Sequence, residues 1–173
     1  VVGDIRYAVI GADSSILQQN TLLEGQVGDD DDPGVAGDGA TFVVVWEQKQ
    51  GIGDYDVAAA IVRKNAQAQF LKVGATQNFT AQEPGAIPSR DQRGPRIDFN
   101  GLRYTEISME VGTLTLPVAA TFVVSGSAFV FHEGHVVLTT VQNCSLPAIA
   151  SEGGAGGLPL SALAVWQQIG NGT

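Results

Sequence analysis

The stretch Pro33-Gly34-Val35-Ala36-Gly37-Asp38-Gly39-Ala40-Thr41-Phe42-Val43-Val44-Val45-Trp46-Glu47 decides the fold. It reads as a β-hairpin. A proline opens a short strand at its first position, where a missing N–H is tolerated. Asp38-Gly39 is a dipeptide that supplies positive φ for a two-residue turn. The returning strand is apolar at consecutive positions from Phe42 to Trp46. The unit recurs as Pro95-Arg96-Ile97-Asp98-Phe99-Asn100-Gly101 and then Leu102-Arg103-Tyr104-Thr105. A looser third copy runs Pro147-Ala148-Ile149-Ala150, a glycine-rich stretch from Gly153 to Gly157, and Ala162-Leu163-Ala164-Val165-Trp166-Gln167.

A second hairpin follows the first copy, from Gly53-Asp54-Tyr55-Asp56-Val57 through Val62 and back along Gln69 to Val73. Its counterpart opens the chain, as Gly3-Asp4-Ile5-Arg6-Tyr7 through Ile10 and back along Thr21 to Glu24. In the middle copy the matching strands fall between Ala119 and Val141, where the likeness is poor. Pro33 and Pro95 lie 62 residues apart, Pro95 and Pro147 lie 52 apart, and the interval taken across the two ends is a similar length. Residues 1–173 therefore read as one repeat domain. Its copies span approximately 33–94, 95–146, and 147–173 continuing into 1–32, so both ends cut through a repeat.

Composition agrees with short strands and tight turns. Glycine accounts for 22 of 173 residues, about 13 % against a usual ~7 %. Charged residues are 16 % and the aliphatic content is high, which excludes a disordered chain. A net charge of −9 argues against nucleic acid, because phosphate binding needs clustered Lys and Arg. No apolar stretch reaches the ~18 residues of a membrane-spanning helix.

Repeats of this length holding four strands are the signature of propeller blades. Strands with one wet face alternate apolar and polar, as in a β-sandwich, which is the alternative fold. Phe42 to Trp46 and Val57 to Val62 do not alternate, so both their faces should be covered. Ala58, Ala59 and Ala60 suit close approach near a central axis. The fold expected is all-β, a propeller-like array of about three four-stranded blades with both ends splitting one blade. The run Pro-x-Val-Ala-x-Asp-Gly-x-x-Phe-x-Val-Val-Trp-Glu, followed by Gly-Asp-Tyr-Asp-Val, resembles the secreted propeller-type repeat of bacterial and archaeal surface and exported proteins. The likeness is good over residues 29–75, partial over 1–28 and 143–168, and weak between 105 and 142. It implies an extracellular β-propeller of about seven blades, usually without a catalytic site. Propellers close with 4–8 blades, so three do not make a ring. The chain is then a piece of a longer polypeptide, or copies complete one another's split blade by strand addition.

Candidate sites follow from residue types. Asn78-Phe79-Thr80, Asn143-Cys144-Ser145 and Asn171-Gly172-Thr173 are N-x-[ST] acceptors for N-linked glycans, and used ones must sit on surface loops of an exported protein. Roughly 0.7 such triplets are expected by chance from this composition. Asp29-Asp30-Asp31-Asp32 invites calcium, with Asp4, Asp54 and Asp56 as further carboxylates, but no D-x-D-x-D-G loop is present and a solvated acidic loop is simpler. Arg90, Arg93 and Arg96 flank Pro95 as the aspartates precede Pro33, so acidic and basic loops could pair between molecules and set assembly register. His132-Glu133-Gly134-His135 has the wrong spacing for a zinc helix and reads as a hairpin turn. Trp46 and Trp166 close equivalent strands. They either stack sugars or pack between blades. Cys144 is the single cysteine, which a buried apolar role suits. No catalytic set groups together. The function expected is an exported structural protein of a surface or fibre, glycosylated and self-assembling, without enzymatic activity. Its partners would be copies of itself or further repeats of the same polypeptide, and the alternative is a lectin-like propeller.

Overall fold

The computed structural model describes residues 3–25, 29–87, 89–140, 143–151 and 161–168. Asn171 lies outside them. The chain is all-β. A first sheet pairs β1 (Ile5–Ile10) with β2 (Ile16–Glu24), and a second holds β3 (Asp30–Gly37), β4 (Thr41–Lys49), β5 (Tyr55–Lys64) and β6 (Phe70–Asn78). After a short helix, α1 (Phe79–Gln82), a third sheet holds β7 (Asp91–Phe99), β8 (Tyr104–Val111), β9 (Thr115–Ser125) and β10 (Ala128–Val137). A fourth pairs β11 (Cys144–Ser151) with β12 (Ala162–Gln168). Every pairing is antiparallel between sequence neighbours, and no sheet closes into a barrel among the described residues.

The sheets stack face to face, and the second is covered on both sides. Val43, Val45, Val57, Ala59 and Ile61 point one way and share a core with Ile97, Tyr104, Phe122 and Phe129 of the third sheet. Val44, Trp46, Ala58, Ala60 and Val62 point the other way, against Ile5 and Leu23 of the first. This is why β4 and β5 are apolar at consecutive positions: alternate residues feed two cores. Burying each Val or Ile contributes about 1.5–3 kcal/mol. The three alanines sit in β5, an interior strand, rather than where sheets approach closest. The first strands make that approach, with β3 against β7 and β7 against β11.

One irregularity recurs. The pairing of first and second strands shifts between Asp31 and Gly34, between Arg93 and Arg96, and between Ser145 and Ala148. Each shift contains one of the three prolines. A bulge tolerates proline because the residue there needs no ladder partner. Asp32 and Gly94, just ahead of Pro33 and Pro95, have φ of 53° and 60°. The hairpin tips also match: Asp38 Oδ1 accepts the N–H of Ala40 and Thr41, and Asn100 Oδ1 those of Leu102 and Arg103. The glycine alone takes positive φ there, at Gly39 and Gly101, so Asp and Asn act as side-chain caps rather than as left-handed residues.

Two expectations are corrected. The strands of the middle copy begin at Thr115, ahead of Ala119. His132 to His135 is not a turn but part of β10, at a bulge where His135 has φ of 36°. Gly134 is required there because a side chain would collide with the Pro84 carbonyl.

Candidate functional site: open edges and an apolar cleft

The most conspicuous exposed feature lies at the two ends of the stack. The first and fourth sheets have two strands each, so β1 and β12 each lack a partner strand on one side among the described residues. An unpaired strand edge presents a row of N–H and C=O groups ready for another strand. Beside β1 the second sheet is only partly covered, leaving an apolar cleft of about 150 Å³ lined by Tyr7, Val9, Val35, Phe42, Val44 and Phe70. Val35 is 61 % exposed there. At the far end, Leu163 and Val165 of β12 are 67 % and 50 % exposed on the face turned away from the stack.

The charged candidates are brought together, but within one chain. Arg96 Nη2 lies 2.9 Å from Asp32 Oδ1, joining β7 to β3. Arg93 bridges Glu47 at 3.4 Å and Asp91 at 3.2 Å, and stacks over the Tyr55 ring at 3.7 Å. Arg90 pairs with Glu110. Asp30, Asp31 and Asp32 lie in β3 and Arg93 and Arg96 in β7, not in free loops, so the arginines have partners before any second molecule arrives. Asp29 receives the Lys49 N–H on its carbonyl, and Asp31 Oδ1 accepts from Asp32 N. Asp30 is buried, which raises its pKa against the Gln48 and Trp46 side chains beside it. Asp4 and Arg6 pair at 3.3 Å, and Asp56 accepts from Asn78 Nδ2 at 2.6 Å. Among the described residues no three His, Cys, Asp or Glu side chains are grouped to hold a metal ion.

Trp46 is wholly buried between the first and second sheets and offers no ring face to a sugar; Trp166 is half-buried on β12. Asn78 is not on a free surface loop. It caps α1, its Oδ1 accepting from Ala81 N at 2.8 Å, and Thr80 beside it is buried. Asn143 precedes β11 with φ of 58°, and Cys144 is buried, which raises its thiol pKa.

A polar cluster that the sequence does not announce lies between α1, β8 and β10. Glu83 Oε1 accepts the backbone N–H of His135 at 2.5 Å, and His135 Nε2 lies 2.9 Å from Glu110 Oε2. Thr80 Oγ1 donates to Gln92 Oε1 at 2.9 Å while accepting from Val57 N at 2.9 Å. Glu106 sits among them with Oε1 unpartnered. Burial pushes its carboxyl well above the usual range, the Glu83 charge pushes it further, and the Ser108 hydroxyl on the same strand face opposes both. The alternation Glu106-Ile107-Ser108-Met109-Glu110 signals one wet face; here the polar face is buried as well. The cluster ties β10 to β8 and α1. Comparison with protein families, curated proteins and solved structures finds no match for this chain.

Proposed function

We propose that this chain is a non-catalytic, extracellular structural module that acts by assembly, its sheets being propeller-type blades stacked with their first strands innermost. The observation that carries this reading is the pair of end sheets, which among the described residues hold two strands each where the interior sheets hold four. Three further features support blades: the shared bulge at Pro33, Pro95 and Pro147, the contact of β3 with β7 and of β7 with β11, and the two-sided burial of the second sheet. Of the convergent polar groups, Glu83, Glu106 and Glu110 are buried and the His135 side chain is 8 % exposed, and they hold strands together, which favours a structural role over chemistry. The N-x-[ST] triplets and the resemblance to exported repeats favour an extracellular setting, with glycans at Asn143 and Asn171 ahead of Asn78. Partners are copies of the chain or further repeats of the same polypeptide.

Sedimentation and negative-stain imaging across about 1 μM to 1 mM test the reading, a span that covers weak to moderate association. Polymers that lengthen with concentration are expected. A small closed ring, stabilised against heat by a sugar, would favour the lectin alternative through Trp166. A monomer throughout would overturn assembly by copies. The intact mass of the polypeptide in its source then separates copies from further repeats.

A further inference from the structure

The end sheets are more than incomplete; they are halves of one another. β12 corresponds to β4, because Val165 opposite Ala148 and Val45 opposite Gly34 both follow the proline bulge. β1 corresponds to β5. Ile5 and Leu23, each 4 % exposed, are the buried pair at the open end of the first sheet, as Val57 and Phe79 are beside the second. Counted from that pair, Ile5 matches Val57 and Ala8 matches Ala60. Both strands turn back through a five-residue loop with the fourth residue at positive φ, Ser14 and Ala68, so the first hairpin is two residues shorter at its tip.

In the second sheet β4 and β5 pair without interruption, Val44 opposite Ala60, and β8 and β9 pair likewise, Glu106 opposite Ala120. Transferring that register places Ala164 opposite Ala8, Val165 opposite Tyr7 and Leu163 opposite Val9. The side chains then fit. Within the chain, Val43 and Val45 of β4 share a core with Ile97 and Tyr104 of the next sheet. Val35 and Phe42 hold the positions of Ile97 and Tyr104 in the second sheet, by the same bulge register, but they line the open cleft. Leu163 and Val165 hold the positions of Val43 and Val45, and they are exposed.

We infer that β12 of one copy pairs with β1 of a second copy, Ala164 opposite Ala8, so that Leu163 and Val165 enter the cleft over Val35 and Phe42. The inference rests on the assembly reading above and names its partner and register. The contact is head-to-tail, so it propagates until a ring closes or continues as a filament. Directly opposed residues in an antiparallel pair lie ~4.5–5.5 Å apart, within the span of a disulfide, whereas two positions along the strand adds ~7 Å.

The test uses the whole chain with Cys144→Ala. Ala8→Cys with Ala164→Cys should give a disulfide-linked ladder under mild oxidation, at least tenfold more than Ala8→Cys with Ala162→Cys. In the chain free of added cysteines, Leu163→Asp should weaken association at least tenfold and leave the unfolding midpoint of the dilute protein unchanged. Association that persists with equal linking in both cysteine pairs, or that Leu163→Asp leaves intact, overturns the register while the assembly reading stands. A chain that stays monomeric at every concentration overturns both.

Discussion

Glu106 is a carboxyl with one oxygen unpartnered, inside a core that includes Tyr104, Phe122 and Ala120 on neighbouring positions. Burial is the main reason that it holds its proton to a higher pH folded than unfolded, where a glutamate titrates near ~4.3. Its contribution to stability is therefore complete below the unfolded value and is lost as pH rises through the folded one. Burial raises Glu83, Asp30 and Asp56 in the same direction. Glu24 runs the other way: burial works against its ionisation, but hydrogen bonds from Thr76 and Lys72 outweigh it and lower the pKa. The lowered groups, Glu24 and the exposed Asp13, lose their contribution only at more acidic pH, so the strongly raised Glu106 sets the direction: the unfolding midpoint should be higher near about pH 5.5 than near about pH 7.5. Glu106→Gln keeps the shape and removes the cost of carrying that proton, so it should stabilise the chain at pH 7.5 by about 1–3 kcal/mol and flatten the slope. Urea melts at both pH values check this; a variant less stable at pH 7.5 would refute it.

At the scale of elements, strands were legible wherever the apolar pattern was local. Phe42 to Trp46 and Val57 to Val62 announce two-sided burial by lacking alternation, and the structure supplies both covers. The hairpin at the start of the chain is legible too, but its alignment is not fixed by pattern: matching Gly3-Asp4 to Gly53-Asp54 differs by two residues from the register inferred above, which sets Asp4 against Asp56. An even slip keeps every side chain on its face, so hydrophobic pattern alone does not detect it. Reading a split repeat points to unpaired strands near the two ends, whereas the cleft beside β1 depends on how residues distant in sequence pack. The buried cluster was illegible because Glu106, Ser108 and Glu110 alternate with Ile107 and Met109 as a wet face would. Asn78-Phe79-Thr80 matches the N-x-[ST] pattern in sequence, and in the structure it forms a helix cap followed by a proline stop at Pro84. The buried hydroxyl of the triplet's third residue has a direct structural test. Thr80→Val removes the donor to Gln92 and the acceptor for Val57 N–H, leaving buried groups unsatisfied at a cost of about 1–3 kcal/mol. Thr80→Ser keeps the hydroxyl and should cost less than half as much. Thermal melts of protein from a host that attaches no N-linked glycans isolate the structural role, and a neutral Thr80→Val there would remove it.

For the whole molecule the deciding quantity is charge against apolar surface. The chain carries a net −9, so copies repel one another in solution. If acidic and basic segments bridged copies, added salt would screen the attraction and weaken assembly. The structure assigns those charges elsewhere: Arg96 holds Asp32, Arg93 holds Glu47 and Asp91, and Arg90 holds Glu110, all within one chain. What remains for the contact between copies is backbone pairing along β1 and β12 and the apolar fit of Leu163 and Val165. Neither is weakened by screening, while repulsion between like-charged copies is. Raising salt from about 20 mM to about 150 mM shortens the Debye length from roughly 20 Å to roughly 8 Å and should tighten association several-fold. Sedimentation equilibrium at the two salt concentrations measures it. Charge reversal at Arg96 should lower the stability of the chain by separating β3 from β7 yet leave the sign of the salt effect unchanged. Association that weakens with salt would instead restore the charged segments as the contact between copies and displace the apolar edge from that role.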